Sequence, residues 1–176
     1  MVTNSFITLA KKRYSCRTYK NNAVEPDKIT TVLEAARVAP SAKNLQPWHF
    51  VVINEAGLLQ KIKQCYQRRW IDSAPVIIAV IGDHSKTWRR NDGKSSLDID
   101  VSIAITHLML QATEMGLATC WIGKFNAWQC AEILSIPEGQ EPIALIPLGY
   151  PADEANEQRH ALQRKNMNEI VSWNKL

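Results

Sequence analysis

Residues 95–123 read SSLDIDVSIAITHLMLQATEMGLATCWIG. Within them Val101, Ala104, Ile105, Leu108, Met109 and Ala112 recur at offsets of three and four, which predicts an amphipathic helix over about 96–115. Ser95 and Asp98 form a capping-box-like start, and Gly116 is placed for a C-terminal cap. Ile99 and Ile103 lie off the main stripe, so more than one side of this helix needs covering. Such a helix belongs at the centre of a domain or at an extensive subunit interface. It hands over to 118–123, which reads as a strand.

Working outward, residues 26–39 predict a helix: Pro26 suits the first turn, Ile29, Val32, Leu33 and Ala36 keep helical spacing, and Pro40 ends it. Residues 49–53 and 74–81 read as buried strands. Between them Leu58, Leu59, Ile62, Cys65 and Tyr66 mark a second amphipathic helix, with Lys61, Lys63 and Gln67 turned to water. Further on, 126–134 predicts a short helix opened by Asn126 and Gln129, and 143–149 a strand. Residues 152–159 are polar and loop-like, and a helical patch around Met167, Ile170 and Val171 ends at Trp173. An apolar patch after a polar spacer has to pack somewhere, and a partner chain is the expectation. The order is mixed α and β, without internal repeats.

With 176 residues, 45% hydrophobic and 22% charged, the chain is expected to form one globular domain over 1–176, and disordered or low-complexity classes are excluded. The four cysteines include no C-x-x-C pair, so metal and redox motifs lack support and free thiols in a reducing cytoplasm fit best. Residues 1–13 lack a signal-peptide apolar region, and the longest apolar run, 74–82, is half a membrane span, so neither export nor a membrane anchor is expected. The net charge of +4 is compatible with an anionic ligand. Its basic clusters (Lys11, Lys12, Arg13 and Arg17; Arg68 and Arg69; Arg89 and Arg90; Arg159, Arg164 and Lys165) are accompanied by no aromatic-interleaved basic stripe and no nucleic-acid fold motif, so no nucleic-acid partner is expected.

No G-x-G-x-x-G, G-x-x-x-x-G-K-[ST], G-x-S-x-G or H-E-x-x-H occurs, which leaves a Rossmann site, a P-loop, a hydrolase elbow and a zincin unsupported. His107 reads as a core or interface histidine and His84 as a solvated turn, while Asp98 and Asp100 read as capping and surface charge. Two segments carry more. In residues 13–17, RYSCR, two guanidinium groups and a hydroxyl suit a phosphate monoester, although a solvated basic face is the other reading. In residues 39–48, APSAKNLQPW, Ser41, Asn44 and Gln46 form a polar comb pinned by two prolines. It suits a planar heterocycle, or it is a connector whose polar groups satisfy the backbone.

Together, R-x-S-x-R followed by a helix and A-P-S-x-x-N-x-Q-P-W-x-F resembles the FMN-dependent nitroreductase family. The resemblance continues through Ser73, Ala74 and Pro75 entering a strand, EMGLATCWIG at 114–123, LGYP at 148–151, and Arg164 and Lys165 ahead of MNEIV at 167–171. It implies an α+β fold with a central mixed, mostly antiparallel sheet flanked by helices, in an intertwined homodimer with two FMN sites at the interface. The segment from about 152 to 176 would then pack on the partner subunit.

By the same resemblance Arg13, Ser15, Arg17 and Arg164 would hold the FMN phosphate and ribityl end, with Tyr14 and Lys165 in the same cofactor-binding set. Pro40, Ser41, Asn44 and Gln46 would reach the flavin, some of them across the subunit boundary, and Trp121, Ile122 and Gly123 would run past the ring. Arg17 and the amides of Asn44 and Gln46 would favour the negatively charged reduced flavin. The implied activity is reduction of nitroaromatic, quinone or similar electron-poor small-molecule acceptors by NADH or NADPH, in a ping-pong hydride mechanism without a metal or a catalytic side chain. A related alkene reduction or dehalogenation, or a flavin-sequestering protein with little turnover, are the alternatives. Lys43 and Lys124 stand where relatives often have a small residue, and 68–70 and 88–90 suggest a lid or entrance.

Overall fold

The computed structural model describes residues 5–176 apart from Glu157, so residues 1–4 of the N-terminal segment and Glu157 in the 152–159 stretch lie outside the described residues. Four strands, β1 (Trp48–Ile53), β2 (Val76–Asp83), β3 (Ala118–Thr119) and β4 (Gln140–Gly149), form one sheet in the order β1-β2-β4-β3. Every pair of neighbours is antiparallel, and the parallel component is one isolated bridge from Ser15 to Thr119. The helices are α1 (Phe6–Lys12), α2 (Pro26–Arg37), α3 (Ala56–Gln64), α4 (Leu97–Glu114), α5 (Ala127–Leu134), α6 (Arg159–Gln163) and α7 (Met167–Ile170).

β2 is apolar at almost every position because both of its faces are covered. Val76, Ile78 and Val80 enter a core with α2 and α4, while Ile77, Ala79 and Ile81 enter a second core with Leu59 and Ile62 of α3 and Cys130 of α5. Antiparallel sheets often leave one face to water, and their strands then alternate with period two. Here three layers remove that alternation, and each fully buried Ile or Leu contributes roughly 1.5–3 kcal/mol. α4 spans the molecule: its 18 residues extend about 27 Å, from the Asp83 end of β2 to the turn into β3. Ile99 is 50% exposed on the flank of α4 that a single chain leaves uncovered, and Ile103 beside it is half-buried.

Several expectations are corrected. No capping box forms at α4: Ser96 is the N-cap without a side-chain cap bond, and its hydroxyl donates instead to Asp100 Oδ2 at 2.9 Å. Asp100 is 2% exposed, so it is a buried carboxylate and not surface charge. Lys63 is 6% exposed and does not face water, because the last turn of α3 abuts the turn at Arg69–Ser73 and Nζ donates to the Asp72 carbonyl at 2.9 Å. The strand expected over 118–123 is regular only at Ala118–Thr119. The β3–β4 register carries Cys120 to Pro147, which has no N–H to give, and pairing resumes where Ile122 and Leu145 exchange both hydrogen bonds. The stretch expected to be loop up to residue 159 gains α6 at its end.

Candidate functional site

Residues 13–20 are stitched into a groove between β3 and the end of β4. The Cys16 N–H donates to the Thr119 carbonyl at 3.0 Å, the Lys20 N–H to the Tyr150 carbonyl at 2.8 Å, and the Ala152 N–H to the Thr18 carbonyl at 2.9 Å. Gly149 permits this closeness, since a Cβ there would stand 2.8 Å from Pro75 Cδ and 3.0 Å from Tyr19 Cδ1. The motif residues at 73–75 and 148–151 therefore meet beside the RYSCR segment.

Side chains from beyond β4 lock the segment further. Tyr14 donates its hydroxyl to Asp153 Oδ1 at 2.8 Å, and Arg159 donates to the carbonyls of Lys11, Lys12 and Arg13 at the C-terminal end of α1 while stacking on the Tyr14 ring. A cation there complements the orphan carbonyls and the negative end of the helix. Burial and the hydrogen bond to Asp153 push the Tyr14 hydroxyl pKa far up, so Tyr14 acts as a neutral donor.

The electrostatics of this end are one-sided. Burial lowers the Arg13 pKa, and the neighbouring charges of Arg159 and Arg164 lower it again. Burial raises the Cys120 thiol, against the opposing pull of Arg17, a hydrogen bond with Ser15, and Arg13. Arg13, Ser15 and Arg17 thus lie near Cys120, with Arg159 and Arg164 beside Arg13, and among the described residues no carboxylate forms an ion pair with any of these guanidinium groups. Clustered arginines without a counter-ion and a nearby hydroxyl make a donor set that fits a phosphate dianion. Lys165 is exposed and makes no hydrogen bond or ion pair among the described residues. From Thr119 the chain continues past Trp121 to Ile122, buried in the second core, and to the exposed Gly123, roughly 13 Å away along an extended backbone.

The 40–46 loop lies at the other end of α4. Its first residue, Pro40, is exposed and follows α2. Asp100 Oδ1 accepts the Ala42 N–H at 3.0 Å, Ser41 Oγ accepts the Gln46 N–H at 2.9 Å, and Gln46 Nε2 donates to the Asn44 carbonyl at 3.0 Å. Lys43, Asn44 and Gln46 have φ of 51°, 56° and 49°, the left-handed region that costs non-glycine residues roughly 1 kcal/mol or more each. All three residues are exposed. Pro47 is buried and β1 starts one residue later, with Trp48 opposite Gly82.

Sequence reasoning found these segments but missed Asp100, Arg159 and Asp153. Asp100 had a signal, for it shares a helical stripe with Ala104 and Leu108. Arg159 had none, because its partners are backbone carbonyls.

The sequence pattern of the Nitroreductase family matches residues 10–65 and 57–150. A nitroreductase family protein of Clostridium difficile 630 has a crystal structure that superposes with a TM-score of 0.92 at 42% identity, covering 98% of this chain and 99% of that one. An FMN-dependent nitroreductase of Clostridium difficile R20291 gives 0.84 at 30% identity, covering 97% and 100%. The oxygen-insensitive NADPH nitroreductase of Helicobacter acinonychis is 27% identical over 202 residues, covering 94% of each chain. With two overlapping matches to the family pattern that together cover residues 10–150, and with 98% of the chain superposed on a family structure, this chain belongs to the nitroreductase family.

Proposed function

We propose that the protein is an FMN-dependent oxidoreductase that uses NADH or NADPH to reduce nitroaromatic, quinone or similar electron-poor small molecules. The observation that carries this reading is the arginine cluster without a counter-ion around Ser15, continuous with the extended 121–123 segment. Arg13, Arg17, Arg164 and Ser15 hold the phosphate, Arg159 keeps Arg13 in place, and Trp121, Ile122 and Gly123 offer backbone along the ring. When bound, FMN supplies the two-electron chemistry, so that one turnover with a quinone converts NAD(P)H and a proton into NAD(P)+ and the quinol.

The same reading requires a homodimer. The 13–17 and 41–46 segments sit towards opposite ends of α4, about 21 Å apart along its axis from Asp100 to Glu114. In this reading a flavin whose phosphate is held by Arg13 is lined by Asn44 and Gln46 of the partner. Trp173 is 87% exposed, and Leu162, Met167 and Ile170 are also open to solvent, a surface that the partner would cover. No helix among the described residues is long and apolar enough to cross a membrane. With all four cysteines free and buried, the proposal places the protein in a reducing cytoplasm.

An absorbance spectrum of the purified protein, followed by anaerobic addition of NADH and then NADPH, tests this. Flavin bands that bleach and return with a nitroaromatic or quinone are expected. A colourless protein that cannot be loaded with FMN sinks the reading, and full occupancy with sluggish reduction by both donors moves the assignment to a flavin-sequestering protein. Sedimentation gives the second arm, since a flavin-loaded monomer contradicts the shared site.

A further inference from the structure

After Gly123 the chain turns through Lys124, Phe125 and Asn126 into α5, and this turn is one wall of a cavity of about 540 Å3. The facing wall is the end of α3 and the turn after it, Gln64 to Arg68. The walls are fixed to each other, because the Asn126 N–H donates to the Cys65 carbonyl at 2.8 Å and both Cys65 and Cys130 are buried behind them. Tyr66 is held by an edge-to-face contact with Trp70, ring centroids 5.4 Å apart. The cavity is therefore built by backbone and core.

Its chemistry is specific. Arg68 and Lys124 are exposed at its rim, neither side chain makes an ion pair or hydrogen bond among the described residues, and no carboxylate lines the cavity. Tyr66 and Phe125, both half-buried, offer ring-sized apolar surfaces, and the remaining lining is mostly neutral amide. Two free cations beside two aromatic rings recognise a planar molecule with one negative group. The volume suits a single-ring compound better than a dinucleotide.

We propose that this cavity is a carboxylate subsite for the electron acceptor, so that the enzyme prefers planar, electron-poor acceptors bearing an anionic group. The proposal rests on the reading that residues 121–123 border the flavin, which puts Lys124 at the edge of the reacting face. The phosphates of NADH or NADPH are the other anionic groups in the reaction, and the test separates them from the acceptor.

The experiment compares kcat/KM for 4-nitrobenzoate and 4-nitrobenzamide with the flavin-loaded enzyme, its Lys124→Gln and Arg68→Gln variants, and the double variant. The benzoate-to-benzamide ratio is expected to fall about fivefold in each single variant, the size of one partly exposed charge pair, and further in the double. Calorimetric titration with benzoate, which cannot be reduced, gives a readout that needs no turnover: benzoate should bind more tightly than benzamide and lose that advantage in Lys124→Gln. An unmoved kinetic ratio together with absent benzoate binding overturns the subsite. So does a rise in the KM of NADH or NADPH at constant acceptor ratio, which assigns the cations to the donor. If no acceptor is turned over but benzoate still binds through Lys124, the subsite stands and the oxidoreductase reading fails. Turnover of both acceptors without charge preference does the reverse.

Discussion

At the C-terminal end of α4, residues 13–20 are held by backbone bonds to Thr119 and Tyr150, by Tyr14 on Asp153, and by Arg159 on three carbonyls. At the N-terminal end, the 41–46 loop rests on one buried carboxylate, Asp100, and otherwise on hydrogen bonds within itself. The first attachment is redundant and leaves its cations unpaired for a ligand. The second has a single anchor and carries backbone strain. Substitutions at the two ends should therefore have very different costs.

The largest effect is expected at Asp100. Asp100→Ala strands the Ala42 N–H and leaves the Ser96 hydroxyl only the Trp88 carbonyl at 3.1 Å, so losing both bonds to the buried carboxylate should cost about 3 kcal/mol, or a fall in Tm of roughly 6–12 °C. Asp100→Asn keeps one acceptor and should lose about half as much. A thermal melt in which Asp100→Ala matches the parent protein would remove the single-anchor description. Next comes Arg13→Ala, which leaves the fold intact and should weaken FMN by about thirtyfold, near 2 kcal/mol, in a fluorescence titration of flavin-stripped protein. Equal FMN affinity in that variant would detach the cluster from the phosphate. Arg159→Ala should cost only about 1 kcal/mol in stability, because the backbone stitches remain. A loss as large as that at Asp100 would abolish the contrast between the two ends.

Much of the fold is legible in the sequence, since burial of β2 on both faces writes a continuous apolar run and α4 writes its stripe at offsets of three and four. Legibility failed where a residue's partner is remote. Asp100 looks like surface charge until Ala42, 58 residues earlier, is seen to donate to it. β3 looks longer than it is because the missing N–H belongs to Pro147 on another strand. The 13–17 and 39–48 motifs lie close in the chain, and only the course of α4 shows that they occupy opposite ends of the molecule.

The smallest effect sharpens the comparison most finely, because it concerns strain alone. Lys43 and Asn44 have nearly the same φ, 51° and 56°, yet Asn tolerates the left-handed region far better than Lys. Lys43→Gly removes the steric cost while adding freedom to the unfolded chain, so the net should be a gain of about 0.5 kcal/mol. Asn44→Gly has less strain to relieve against the same entropic loss and should be neutral or slightly destabilising. Denaturant midpoints at constant m-value measure the difference. If Lys43→Gly gains nothing over Asn44→Gly, the loop is set by Asp100 and the Ser41 hydroxyl alone. If it gains, residues 43–46 hold Asn44 and Gln46 outward against their own backbone preference, as a loop shaped to meet a ligand would.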